Sequence, residues 1–337
     1  MDFMLNIPIN PPGLSIGYKD KILVVGSCFT EHIGGRLEQL KFSILKNPNG
    51  ILFDPLSVCK ILESYIYNKK YKKEDLFQLN ELWQSWQHHS KFSGLEQEKV
   101  LQNINESLQN AHVFLQKATW LIITLGSSFS YKFMETNEPV ANCHRAPAKW
   151  FSKQLTSINE MIESFESCLA KLFQFNPSLK IIFTVSPVRH IRDGVIENNR
   201  SKARLIETVH QLIDTSGRLF YFPAYELVID VLRDYRFYDI DLVHPNYAAT
   251  EFVFEKFTEY YIDKEAISCM EEIRDLVKAF KHKPFQPATQ AHRKFMELNL
   301  VKVQQLQQKY PHINFSREVF YFEKFSESGA KDDNVPC

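Results

Sequence analysis

Glycine is scarce in this chain, at 11 of 337 residues. That argues against a loop-dominated all-β fold and for helices alternating with strands. Paired cysteines are also missing. Cys28, Cys59, Cys143, Cys168, Cys269 and Cys337 are scattered, with no CxxC pair, so the chain has no disulfide framework or ribbon-type zinc site, and its cysteines read as reduced thiols. Neither sign of charge dominates. Lys+Arg and Asp+Glu are both 40, so no basic field invites nucleic acid. No apolar run approaches the ~18 residues that cross a bilayer, and no membrane partner is expected. The opening "MDFMLNIPINPPG" has neither the basic nor the apolar segment of a signal peptide. The expectation is a cytoplasmic protein.

The chain does have a hydrophobic content of 44%, with 27 Phe and 14 Tyr, ample for a large core. Short apolar runs alternate with helix-period segments. "KILVVG", "FSILK", "TWLIITLG", "KIIFTVSPV" and "RLFYFPAY" read as strands. Helices are expected over 30–40, from Pro55, and over 97–117, 153–174, 198–215 and 246–261. Continuous apolar strands separated by helices indicate an α/β protein whose parallel sheet is covered on both faces. Residues 71–95 lack clear periodicity and read as an insertion in an α/β domain spanning 1–262. Two helices over 263–325 are expected to pack on that domain, with a flexible tail at 326–337.

In open α/β sheets, ligands bind beyond the carboxyl ends of the strands. Polar residues collect there: Gly26-Ser27-Cys28 after the first strand, Asn47-Pro48-Asn49-Gly50 after the second, and Gly126-Ser127-Ser128 after the third. A serine at a strand-to-helix corner sits where free N–H groups favour an oxyanion, but it needs a base; alone it reads more often as a helix cap. "DLVHP" supplies that base as His244, with Asp241 three residues earlier to orient it, the pairing a triad needs. Cys28 reads as a packing residue ahead of a second nucleophile.

The stretches "VVGSCFT", "NPNGILFDP", "TLGSSFSYKF", "VANCHRAP", "TVSPVRHIRDGVIENNRSKA", "DLVHP" and "HKPFQPATQAHRKF" together resemble the GSCFA-domain branch of the SGNH/GDSL hydrolase superfamily, with Thr30 in place of its Ala. The resemblance implies a flavodoxin-like three-layer α/β/α sandwich with a five-stranded parallel sheet. It also implies Ser27 as nucleophile, His244 as base and Asp241 as orienter. The superfamily's oxyanion hole implies a role for Gly50. Its usual Asn is absent from Gly126-Ser127-Ser128, leaving Ser128 or, preferably, Asn142 to donate.

Other candidates follow from position. His144 in "NCHRAP" either lines the cleft or is an ordinary hairpin histidine. "WQHHS", with His89, either forms a lid or tucks its aromatics down. After the fourth strand, Arg189, His190, Asn199 and neighbouring basic residues either receive an anionic or hydroxyl-rich substrate or pair with nearby acids. No metal or other cofactor is expected. The function implied is a serine esterase cleaving a small acyl, foremost acetyl, ester of a small molecule or carbohydrate. The alternatives are an O-acyltransferase to a carbohydrate on the same triad, or a binding module that has lost the chemistry.

Overall fold

The structure, a computed structural model, describes residues 4–327. Strand β1 (Lys21–Gly26) feeds α1 (Cys28–Gln39), and β2 (Ser43–Lys46) feeds α2 (Pro55–Ile66). A hairpin of β3 (Phe77–Leu79) and β4 (Leu82–Gln84) precedes α3 (Gln97–Leu115). After β5 (Trp120–Leu125), a small antiparallel sheet is formed by β6 (Phe129–Phe133), β7 (Glu138–Val140) and β8 (Phe151–Leu155). Then follow α4 (Ile158–Phe175), β9 (Lys180–Val185), α5 (Val195–Ile213) and β10 (Leu219–Tyr221). A short α6 (Ala224–Glu226) leads through a π-helical stretch to α7 (Tyr247–Tyr261), α8 (Lys264–Lys281), α9 (Gln290–Lys309) and α10 (Ser316–Glu327).

Five strands form one parallel sheet in the order β10-β9-β5-β1-β2. Their side chains are apolar on both faces, as burial between two helical layers requires. On β1, Ile22 and Val24 enter one core with Phe29, Phe254 and Phe257, whereas Leu23 and Val25 enter the other with Leu62, Leu108, Phe165 and Val209. The result is the three-layer α/β sandwich that the sequence pattern indicates. Local chemistry starts its helices cleanly. Asp54 Oδ1 accepts the Ser57 N–H at 3.0 Å with Pro55 in the first helical turn, and Ser157 Oγ accepts from Glu160 at 3.2 Å.

Three local expectations change. The helix expected from 153 starts at Ile158, because Phe151–Leu155 pair with β6 as a strand. The aperiodic 71–95 segment contains the β3–β4 hairpin, too short for its alternation to register. Three C-terminal helices form where two were expected. Their Ile273, Leu276, Met296, Val303, Phe315 and Phe322 join the core under α1 and α7, and Lys41 pairs with Glu318 across the junction at 2.6 Å. The expected tail lies outside the described residues, apart from its first two positions, which end α10. No helix among the described residues is long and apolar enough to cross a membrane.

The end of β1 needs glycine. Gly26 has φ +138°, and a Cβ there would collide with the Thr124 carbonyl of the neighbouring strand. Gly26→Ala is therefore expected to cost at least about 2 kcal/mol of unfolding free energy, read as a lowered urea midpoint at unchanged slope.

Candidate functional site

The site is built outward from the corner after β1. Asn47, buried at the end of β2, accepts the Gly26 N–H through Oδ1 at 2.9 Å and donates through Nδ2 to Glu31 Oε1 at 2.6 Å. It thus ties strand end to helix start. Ser27 continues the sheet ladder, donating its N–H to the Thr124 carbonyl at 3.0 Å. Its hydroxyl caps α1, accepting the Phe29 N–H at 3.3 Å, and the residue is only 1% exposed. Cys28 is the first residue of α1 and is partly exposed. Burial raises its thiol pKa. The charge of Lys202 and the N–H groups of Phe29 and of Cys28 itself work the other way.

The Asp241–His244 loop is tightly self-bonded. Asp241 Oδ1 accepts the N–H groups of Val243 and His244 at 2.9 and 3.0 Å, and Oδ2 meets His244 Nδ1 at 2.7 Å. Those bonds, led by the His244 N–H, hold the Asp241 carboxyl down to about 2. The folded value lies below the ordinary one, so this stabilisation is complete above pH ~4 and fades as pH falls through about 2. A carbonyl-to-amide bond from Asp239 N–H to His244 O, 2.8 Å, closes the loop. The second ring nitrogen of His244 makes no hydrogen bond among the described residues, and the side chain is 45% exposed. Arg189, just beyond β9, donates its N–H to Val243 O at 3.2 Å, so the loop sits at the carboxyl edge of the sheet, the edge that also carries the β1 corner. No hydrogen bond joins His244 to Ser27.

Beneath that edge lies Lys202, 1% exposed, whose Nζ donates to the carbonyls of Gly126 and Ser186, each at 2.6 Å. It clips together the ends of β5 and β9. Burial depresses its pKa to about 7. His190 is held down to about 4, chiefly by burial and then by the charges of Lys202 and His244. Its Nε2 is buried without a partner, and its N–H donates to Asn198 Oδ1 at 2.8 Å. Asn47 and Lys202 are the residues that sequence reasoning underweighted. The one available signal for Lys202 was its position, on the helix that follows β9.

Several residues expected at the site have partners of their own. Gly50 has φ +81° and gives its N–H to the Asn47 carbonyl at 2.7 Å, which removes it as an oxyanion donor. Ser128 is fully buried; its N–H donates to Ser201 Oγ at 2.7 Å and its hydroxyl faces Ser201 as well. Asn142 Oδ1 accepts the His144 N–H at 2.8 Å, shaping its own turn, and leaves its Nδ2 donor without a hydrogen bond among the described residues. His144 is a structural pin: its Nε2 meets the Ser85 carbonyl at 2.8 Å and its Nδ1 the Ser90 hydroxyl at 3.2 Å. His89 starts a short turn, with Nδ1 accepting the Lys91 N–H, and Trp86 stacks on Phe77 at 3.5 Å, so this segment is tucked down. Arg189 stacks on Tyr238 at 4.2 Å and donates its N–H to Val243 O at 3.2 Å, which makes it a brace for the Asp241–His244 loop. Exposed Asn199 accepts a bond from Asn198 Nδ2 at 3.1 Å. Among the described residues, no group of three or more His, Cys, Asp or Glu could hold a metal ion.

A parallel α/β sandwich with its polar groups at the carboxyl edge defines the class of this protein. Within that class the chain belongs to the GSCFA family, whose model matches residues 21–257; the model of the GSCFA C-terminal domain matches residues 273–327. No curated protein matches the chain at a significant level. Among solved structures it is similar to a carbohydrate esterase family 3 protein from Talaromyces cellulolyticus, at 10% identity and TM-score 0.35, over 76% of this chain and 99% of that one.

Lys202 gives a testable sign. Its folded pKa lies below the ordinary lysine value, so the unfolded chain holds a proton that the folded one sheds between pH about 7 and 10.5, and Lys202 favours folding increasingly across that window. Lys202→Met leaves two buried carbonyls without a donor. It is expected to cost about 1–3 kcal/mol at pH 9 and less at pH 6, read from denaturant midpoints of both proteins at each pH.

Proposed function

We propose that this protein hydrolyses small acyl esters through a covalent acyl-enzyme, with Asp241 orienting His244, His244 as general base, and a nucleophile from the Ser27–Cys28 corner. The single observation that supports the reading is the 2.7 Å bond between Asp241 Oδ2 and His244 Nδ1, with the other ring nitrogen unbonded. A carboxylate on Nδ1 fixes the tautomer in which Nε2 is a free acceptor, and it stabilises the imidazolium that forms on proton transfer. His244 takes the nucleophile's proton as the nucleophile attacks the ester carbonyl, then returns it to the departing alcohol. Water, deprotonated by the same nitrogen, releases the acid. With Gly50 and Ser128 committed elsewhere, the oxyanion falls to the helix start, where the Cys28 N–H has no carbonyl partner.

Ser27 is the first assignment for the nucleophile. A second reading moves it one residue on, to Cys28, and a specific observation favours it. Ser27 is 1% exposed, with its N–H in the sheet and its hydroxyl in a cap, whereas Cys28 is partly exposed at the first helical position. A thiol is the stronger nucleophile once its proton is drawn off, and with Cys28 the acyl-enzyme is a thioester.

The test is hydrolysis of 4-nitrophenyl acetate. His244→Asn is expected to lower kcat/KM by about 10³-fold or more; full activity in that variant contradicts the whole reading. Ser27→Ala and Cys28→Ala then divide the two assignments. Loss of activity only in Cys28→Ala selects the thiol, and loss only in Ser27→Ala selects the hydroxyl.

A further inference from the structure

An open cavity of about 610 Å³ lies between α1, the 239–245 loop, α7 and α8. His32, Asp239 and Pro245 line it; Asp239 donates its N–H to His244 O at 2.8 Å and Pro245 follows His244 in the chain, so the cavity begins beside the proposed base. It is far roomier than a small acyl group requires; volumes of about 300–1,000 Å³ accept whole ligands. The far wall belongs to α8, where Arg274, Lys278 and Lys281 project into the cavity at four- and three-residue spacing, one helical face.

Two of these three cations lack an ion pair among the described residues. Arg274 makes no ion pair among the described residues. Lys281 reaches only the neutral Gln39 Oε1 at 2.9 Å, and Lys278 stands 3.7 Å from Asp275. Of the acids that line the cavity, Glu251 pairs with Arg36 at 2.9 Å, Glu31 accepts from the neutral Asn47 at 2.6 Å, and Asp239 makes no ion pair among the described residues, so the positive side of the cavity is the α8 wall. Tyr247, 76% exposed, stands at the rim with the Arg36 guanidinium over its ring at 5.3 Å, and His32, Gln39 and Thr250 offer hydrogen-bonding groups. The unpaired Arg274 and Lys281, an exposed tyrosine ring and mixed hydrogen-bonding groups match an acidic saccharide, whose carboxylate an arginine fork grips and whose ring stacks on the tyrosine face away from Arg36.

We propose that this cavity binds the alcohol portion of the ester substrate, an acidic saccharide, and that α8 supplies its carboxylate contacts. The inference rests on the hydrolase reading for its link to catalysis, but binding alone tests it. The probe is trigalacturonic acid, measured by calorimetry against the full chain, with cellotriose as the neutral comparison. Trigalacturonate is expected to bind at least about tenfold more tightly than cellotriose, and more weakly as salt rises. Arg274→Glu/Lys278→Glu should remove that preference, with Arg274→Gln/Lys278→Gln intermediate; both pairs lie on an exposed helix face, and unchanged melting curves establish their folding. Equal affinity for the two sugars, no binding of either, or a preference that survives charge reversal overturns the inference. The two readings fail separately. Cleavage of 4-nitrophenyl acetate without trigalacturonate binding defeats the cavity assignment alone. Charge-dependent trigalacturonate binding by a protein that cleaves no acetyl ester supports the cavity and defeats the hydrolase reading.

Discussion

The arrangement depends on how the first strand is allowed to end. Gly26 adopts a conformation only glycine tolerates so close to the neighbouring strand, and its N–H is held by Asn47 at 2.9 Å. That pairing stops the strand at a fixed height, carries Ser27 into the ladder with β5, and starts α1 one residue later. The corner's serine and cysteine side chains are thereby separated by environment. One is enclosed as a helix cap and the other stands at the helix opening. A single buried asparagine also fixes Glu31, one turn along the helix, so sheet edge and cavity wall share one anchor.

A second organising feature is cationic. Lys202 lies under the edge, clipping β5 to β9 through two carbonyls, and its charge reaches both Cys28 and His190. A buried amine held near neutrality can pass its influence to either neighbour without a direct bond. On the outer side, α8 carries a further set of positive side chains beside the 239–245 loop. The C-terminal helices therefore do more than cover the sheet. They share the core beneath α1 and α7 and form one wall of the cavity next to the loop.

Much of the fold was legible because its signals are strong and local. Each central strand is a continuous apolar run, which only a doubly covered sheet accommodates, and Asp54-Pro55 and Ser157 announce their helices. The small elements were not legible. Phe77–Leu79 and Leu82–Gln84 are too short for alternation to register, and Phe151–Leu155 owes its strand state to β6 rather than to its own pattern. The same division runs through the candidate site. Asp241 and His244 meet as their spacing indicates, since three residues in a tight turn suffice. The bonds of Gly50, Ser128 and His144 were not legible, because their partners are distant in sequence or lie in the backbone: Asn47 O, Ser201 and Ser85 O. Lys202 was hard to foresee for the opposite reason. Lysine is seldom buried, and only the folded sheet supplies the two carbonyls that make its burial tolerable.

The central claim is a covalent acyl intermediate at the β1 corner. The most direct measurement is the intact mass of the protein quenched in acid during turnover of an acetyl ester, followed by peptide mapping. The account predicts one added acetyl group, located within Gly26–Phe29, absent from His244→Asn, and released by hydroxylamine. A protein that turns the ester over while remaining unmodified, or that carries the acetyl group only on residues remote from this corner, contradicts it.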